Sequence, residues 1–167
     1  SFAAAYRSAP TFLRNVAKNL FYGRHPDSAQ RPDVALALRE AERFNEIVAS
    51  LLGKVVSPDV DFADGLEIAA ALGDRRFQQA ELSSGEGVLL TWSILLHQQA
   101  PSLQGTVVMI DEPELHLHPS HQQRILSTLR TALGDHGQLW VVTHSAATAE
   151  RADVTNFLLV AKGETRP

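Results

Sequence analysis

The chain is 167 residues long, 44% hydrophobic and 20% charged, the balance of a soluble globular chain with material for one modest core. It has no cysteine, which excludes disulfides and thiolate metal sites and is compatible with a reducing cytoplasm, the expected location. No apolar run approaches the length that crosses a bilayer, and the opening SFAAAYRSAP lacks the basic-then-apolar order of a signal peptide, so no membrane partner is expected.

The net charge of −4 is unevenly spread. Residues 1–31 carry Arg7, Arg14, Lys18, Arg24 and Arg31 against Asp27 alone, which leaves an acidic remainder. A basic end of this kind can meet nucleic acid or an acidic partner; it can equally be a solvated helix face.

In chain order, Thr11 to Tyr22 places Phe12, Leu13, Val16, Leu20 and Phe21 on one side and Arg14 and Lys18 on another, which predicts an amphipathic helix. A polar loop follows, and Asp33 is expected to cap a longer helix that Gly53 ends, with its stripe on Val34, Leu38, Ala41, Phe44, Ile47, Val48, Leu51 and Leu52. Leu66–Ala71 and Phe77–Ala80, split by Gly73-Asp74, suggest a hairpin. Ser83 followed by Glu86 is a capping box, and a helix from about Gly87 to Gln99 carries more apolar positions than an exposed surface would. The same Ser-Ser-Gly-Glu start is rich in N–H donors, so it reads either as helix punctuation or as a phosphate seat.

Beyond it, Thr106–Ile110 and Leu139–Val142 are short apolar runs typical of strands covered on both faces. Between them a helix is expected over Pro119–Leu133, with Ile125, Leu126, Leu129 and Leu133 inward and Gly134 ending it. A short helix over 146–151 and a strand over 155–160 complete an alternation that predicts a doubly wound α/β layer. The first apolar run ends in Asp111-Glu112 and the second in Thr143-His144-Ser145, which puts acids and imidazole at the strand ends where open α/β sheets bind ligands. There one carboxylate can hold hydrated Mg²⁺ and the other can orient or deprotonate a water for attack on a phosphoryl group. The plainer reading is a strand end with solvated acids. His116, His118 and His121 form a second cluster that could reach one metal ion if extended, although Leu115 and Leu117 look like core anchors and Pro119-Ser120 like a helix start.

The order LSSGE, VVMIDEP, LHLHP, VVTHS resembles the C-terminal half of an ABC-type ATPase head, of the SMC-, RecF- and OLD-like soluble branch of AAA family ATPases, over roughly residues 66–160. The resemblance implies an α/β fold, the C-terminal lobe of a P-loop NTPase sheet, over residues 66–167, with residues 1–65 as the tail of a preceding helical insertion. It implies ATP and Mg²⁺ as cofactors, a homodimer or paired ATPase head as partner, and DNA or a nuclease effector as further partners. Ser83, Ser84, Gly85 and Glu86 match the signature that contacts a nucleotide held by the opposite protomer. Asp111 matches the Mg²⁺ aspartate, Glu112 the general base, and His144 the histidine that reads the γ-phosphate. His118 stands where the family's D-loop usually has Asp, so its role is the least defined of the set. No Gly-x-x-x-x-Gly-Lys-Ser/Thr occurs in the sequence, and the phosphate loop is expected on a lobe supplied in cis or in trans. The competing expectation is a non-catalytic dimerisation or partner-binding module that keeps the fold.

Overall fold

A computed structural model describes residues 1–27, 31–63, 65–113, 115 and 117–146, together with the backbone of two strands at 159–161 and 164–166. The first element, α1 (Phe2–Gly23), starts nine residues before its expected beginning, because Ala5 and Ala9 continue the buried stripe of Leu13, Val16, Ala17 and Leu20. The helix therefore runs through Pro10, which has no N–H for the carbonyl four residues back. That carbonyl, on Tyr6, instead accepts a hydrogen bond from Gln79 Nε2 at 2.9 Å. The second helix, α2 (Pro32–Leu52), buries Ala41, Phe44, Val48 and Leu51 and stops at Gly53, whose φ of +68° only glycine adopts cheaply. Its N-cap is Arg31 rather than the expected Asp33, since Pro32 already occupies the first helical position. Asp33 lies in the first turn, where Arg31 Nη2 donates to it at 3.0 Å.

Three short strands follow. The antiparallel pair β1 (Val56–Asp61) and β2 (Glu67–Leu72) straddles residue 65, and β3 (Arg75–Arg76) adds two rungs to β2. Sequence patterning gives no sign of β1, because Pro58 and two aspartates interrupt its alternation; it is an edge strand, where a missing N–H is tolerated. The expected strand at Phe77–Ala80 does not form, and a 3-10 turn at Gln79–Glu81 stands there.

Next, α3 (Ser84–Leu103) begins directly after Ser83, three residues before its expected start, so the serine-rich segment is its first turn. One side of α3 puts Leu90 and Ile94 into a core shared with α1, α2, β1 and β2. Another puts Leu89 and Leu96 into a second core with Leu51, Leu117, Ile125 and Leu129. This double burial explains why the helix is apolar almost all round. Its His97 packs edge-on against Phe12 and Phe44, with centroids 5.8 and 5.4 Å away, and this burial holds the imidazole pKa below its ordinary value.

The strands β4 (Val107–Asp111) and β5 (Gln138–Val142) are parallel and joined by α4 (Pro119–Leu133). Ile110 and Leu139 face the second core. Among the described residues the opposite face is exposed, where cover on both sides is expected: Val107 is 57%, Met109 77%, Trp140 50% and Val142 60% exposed. The expected helix over 146–151 and most of the strand over 155–160 lie outside the described residues. Leu159–Ala161 forms a strand, β6, paired antiparallel with β7 (Glu164–Arg166). Among the described residues no helix is long and apolar enough to cross a membrane.

The Gln79–Tyr6 bond replaces the one that Pro10 deletes, so the two effects are coupled. Gln79→Leu should cost about 0.5–1 kcal/mol in urea unfolding, and less in a Pro10→Ala background, where the restored amide reaches Tyr6 instead. Strictly additive losses in the double mutant would show that the two positions are independent.

Candidate active site

Two parallel strands linked by one helix end at the same edge of their sheet, and here the register pairs Asp111 with Val142. One further backbone bond, from Glu112 N–H to the Val142 carbonyl at 2.8 Å, extends the ladder past Asp111. The chain then turns sharply: Leu115 N–H donates to the Glu112 carbonyl at 3.1 Å, and Glu112 takes φ +46°, the one positive φ outside glycine among the described residues. A left-handed non-glycine conformation costs on the order of 1–3 kcal/mol and persists only where neighbours enforce it. The result is a partly buried Glu112 whose Oε1 lies 3.4 Å from His144 Nε2. The imidazole is 85% exposed, and Asp111, the last residue of β4, is exposed on the bare side of the sheet.

The loop after β5 is built locally. Ser145 N–H donates to Thr143 Oγ1 at 2.9 Å, a short turn with His144 at its tip. Ser145 Oγ lies 3.3 Å from Gln122 Oε1, and Gln122 Nε2 donates to the Leu117 carbonyl at 2.9 Å. Leu117 is buried in the second core while His118, next in sequence, is exposed and caps α4. Its Nδ1 receives Ser120 N–H at 3.4 Å and lies 3.0 Å from Ser120 Oγ. His118 and His121 stack edge to face, with centroids 6.3 Å apart. His116 and Glu114 lie outside the described residues, and among those described no group of three or more His, Asp or Glu side chains could hold a metal ion by itself. Asp111 still fits Mg²⁺ as a single hard-oxygen ligand, since that ion takes one or two carboxylates and completes its shell with water and phosphate.

The serine-rich segment forms the expected capping box. Ser83 Oγ accepts from Glu86 N–H at 3.3 Å, and Glu86 Oε2 accepts from Ser83 N–H at 3.1 Å. The other oxygen, Oε1, takes a 2.6 Å bond from Lys54 Nζ. Lys54 first, and then the Ser83 amide and hydroxyl, pull the Glu86 carboxyl down from 4.5 to about 2. The amides of Ser84 and Gly85 remain as first-turn donors that the helix's own ladder does not use. A side chain at Gly87 would meet Tyr6 at 3.3 Å, so α1 presses against this helix start.

The structure thus joins Glu112, His144 and Asp111 at one edge, and sets Ser83–Glu86 at a separate helix start tied to Lys54 and Tyr6. Sequence reading missed Lys54 and Gln122. Lys54 is 32 residues from its partner and gives no local signal. Gln122 does give one: it falls on the α4 stripe of Ile125, Leu126 and Leu129, a polar residue at a core position.

The arrangement has the α/β fold of SMC ATPase heads. The chain belongs to the family described as AAA domain, putative AbiEii toxin, Type IV TA system, which matches residues 1–150. It is similar to the Retron Ec83 probable ATPase of Escherichia coli, 34% identical over 93 residues, which are 50% of this chain and 17% of that protein. This chain therefore matches only about a sixth of that relative's length. An SMC ATPase described for its ATP-driven dimerization and DNA-stimulated activation superposes with a TM-score of 0.54 at 21% identity, over 76% of this chain and 80% of that one. The SMC head domain from Thermotoga maritima superposes with a TM-score of 0.51 at 24% identity, over 74% and 44%.

Because Glu86 is more acidic folded than unfolded, its contribution is complete above pH 4.5 and is lost as pH falls towards about 2. Lys54→Met should flatten this acid limb of the stability–pH curve. At neutral pH it should cost about 1 kcal/mol, a small value because both partners are partly exposed and screened. Thermal unfolding from pH 2 to 7 reads both effects; an unchanged acid limb in Lys54→Met would remove Lys54 as the cause.

Proposed function

We propose that this chain is the C-terminal part of an ABC-type ATP-hydrolysing head that pairs with a second head when ATP binds. In this reading residues 66–167 carry the nucleotide-reading elements and residues 1–65 the helical support. The observation that carries it is the 3.4 Å approach of His144 to Glu112 beside Asp111, at the carboxyl end of two parallel strands. Glu112 accepts the proton of the attacking water, and its contact with His144 and its constrained backbone fix the carboxylate's direction. His144, exposed at its turn beside Glu112, reads the γ-phosphate. Asp111 supplies one oxygen ligand to Mg²⁺, which when bound neutralises phosphate charge. His118, exposed at the N-cap of α4, is the further histidine of this reading.

The second head's nucleotide is read by Ser83, Ser84, Gly85 and Glu86. Their helix start offers backbone donors to an anion, and Lys54 offsets the charge that Glu86 would otherwise bring to it. The phosphate loop comes from a further lobe, in cis or in trans. The bare apolar face of Val107, Met109, Trp140 and Val142, next to Asp111, supports such a lobe packing there. The exposed Arg14 and Lys18 on α1, and the DNA-stimulated SMC relative, favour a nucleic-acid process: DNA repair, chromosome maintenance or phage defence with a nuclease effector.

Two measurements test the reading. With the phosphate-loop lobe present, Glu112→Gln should slow ATP hydrolysis by about 100-fold or more while ATP-dependent pairing persists; wild-type turnover would assign the base elsewhere. By calorimetry this chain without that lobe should bind ATP more weakly than about 1 mM, since the lysine and the nest of amides are absent. Micromolar affinity would contradict the need for the lobe.

A further inference from the structure

Gln122 is a costly choice for its position. It is 7% exposed on the inward stripe of α4, where its neighbours are Ile125, Leu126 and Leu129, and an aliphatic residue there would need no partners. An unmatched buried amide costs about 1–3 kcal/mol, so both ends of this one must be engaged. They are engaged on two different loops. Nε2 donates to the carbonyl of Leu117, in the loop after β4, and Oε1 faces Ser145 Oγ, in the loop after β5. Each anchored residue is the sequence neighbour of an exposed histidine: Leu117 precedes His118, and Ser145 follows His144.

We infer that Gln122 is a positioning residue that clamps these two loops together and thereby holds His144 against Glu112. Ser145 is fixed on two sides, its amide by Thr143 Oγ1 and its hydroxyl by Gln122, and His144 lies inside that constraint. The Glu112 turn is set from the other side by its bond to Val142 and its left-handed backbone. The 3.4 Å contact is where the two constraints meet. Without the Gln122 amide, the imidazole keeps its chemistry but loses its register relative to the carboxylate. Small misplacements of catalytic groups are expensive in rate and cheap in binding. The inference rests on the proposed hydrolysis for its kinetic readout, though the clamp itself is a matter of geometry.

The test compares Gln122→Met, which preserves side-chain length and packing, with Ser145→Ala and the double mutant, in the protein with its phosphate-loop lobe. Gln122→Met should lower kcat by about tenfold or more with nucleotide affinity within about threefold of wild type. Ser145→Ala should act in the same direction, and the double mutant should be no slower than Gln122→Met alone. Wild-type kcat in Gln122→Met, multiplying losses in the double mutant, or equal losses of kcat and affinity would each overturn the clamp. A second readout does not depend on hydrolysis: with selectively labelled histidine, the NOE between the His144 ring and the Glu112 side chain should vanish in Gln122→Met. Its retention would overturn the inference. Wild-type turnover in Glu112→Gln would sink the hydrolysis reading, and the NOE would still decide the clamp.

Discussion

The burial of α3 on two sides is the constraint on which the rest depends. A helix that feeds Leu90 and Ile94 into one core and Leu89 and Leu96 into another cannot slide or rotate without opening both. Each fully buried leucine contributes about 1.5–3 kcal/mol, so the axial position of α3 is strongly fixed. Its first turn is consequently fixed too. The capping box, the Lys54 bond and the close approach of Tyr6 to Gly87 complete a helix start that is exposed but held rigid. Rigidity and exposure together are what the proposed anion-reading role requires, because donors that must be reorganised on binding lose much of their value.

The second core carries the same constraint to the sheet. Ile125 and Leu129 of α4 pack with Leu89 and Leu96 of α3, and Ile110 and Leu139 lie against that cluster. Two parallel strands joined by a helix then have their carboxyl ends side by side, and this is why residues more than thirty positions apart, Glu112 and His144, come within 3.4 Å. At the opposite end the α4–β5 turn is tight: a side chain at Gly137 would meet the Leu133 carbonyl at 2.6 Å. The polar elements sit on top of this frame: the strained Glu112, the Thr143–Ser145 turn and the buried Gln122 amide. The apolar frame sets the register of the strands, and the polar elements set where side chains point.

Much of this was legible in the residue order. The Ser83–Glu86 box, the Pro119–Leu133 helix and its inward leucines, and the two strands ending in Asp111-Glu112 and His144 all rest on short-range rules of capping and periodicity, which act within a few residues. The errors arose where a distant partner overrode a local rule. Pro10 should interrupt a helix, yet Gln79 replaces its missing bond and buried Ala5 and Ala9 hold the extra turns. Pro58 should argue against a strand, yet pairing with β2 makes one at a sheet edge. The apolar runs of β4 and β5 imply two covered faces; one is covered within the described residues, and the other is the face the proposed lobe would take.

By itself, then, the sequence determined which residues are candidates for the proposed site: the adjacent acids, the strand-end histidine and the serine-rich helix start, because residue type and spacing are properties of the chain alone. The tertiary structure decided which of them meet. Register across a parallel pair, the pairing of Lys54 with Glu86 and the bridging role of Gln122 depend on packing between elements far apart in sequence. Such contacts exist only once buried area has overcome the entropy of bringing those elements together.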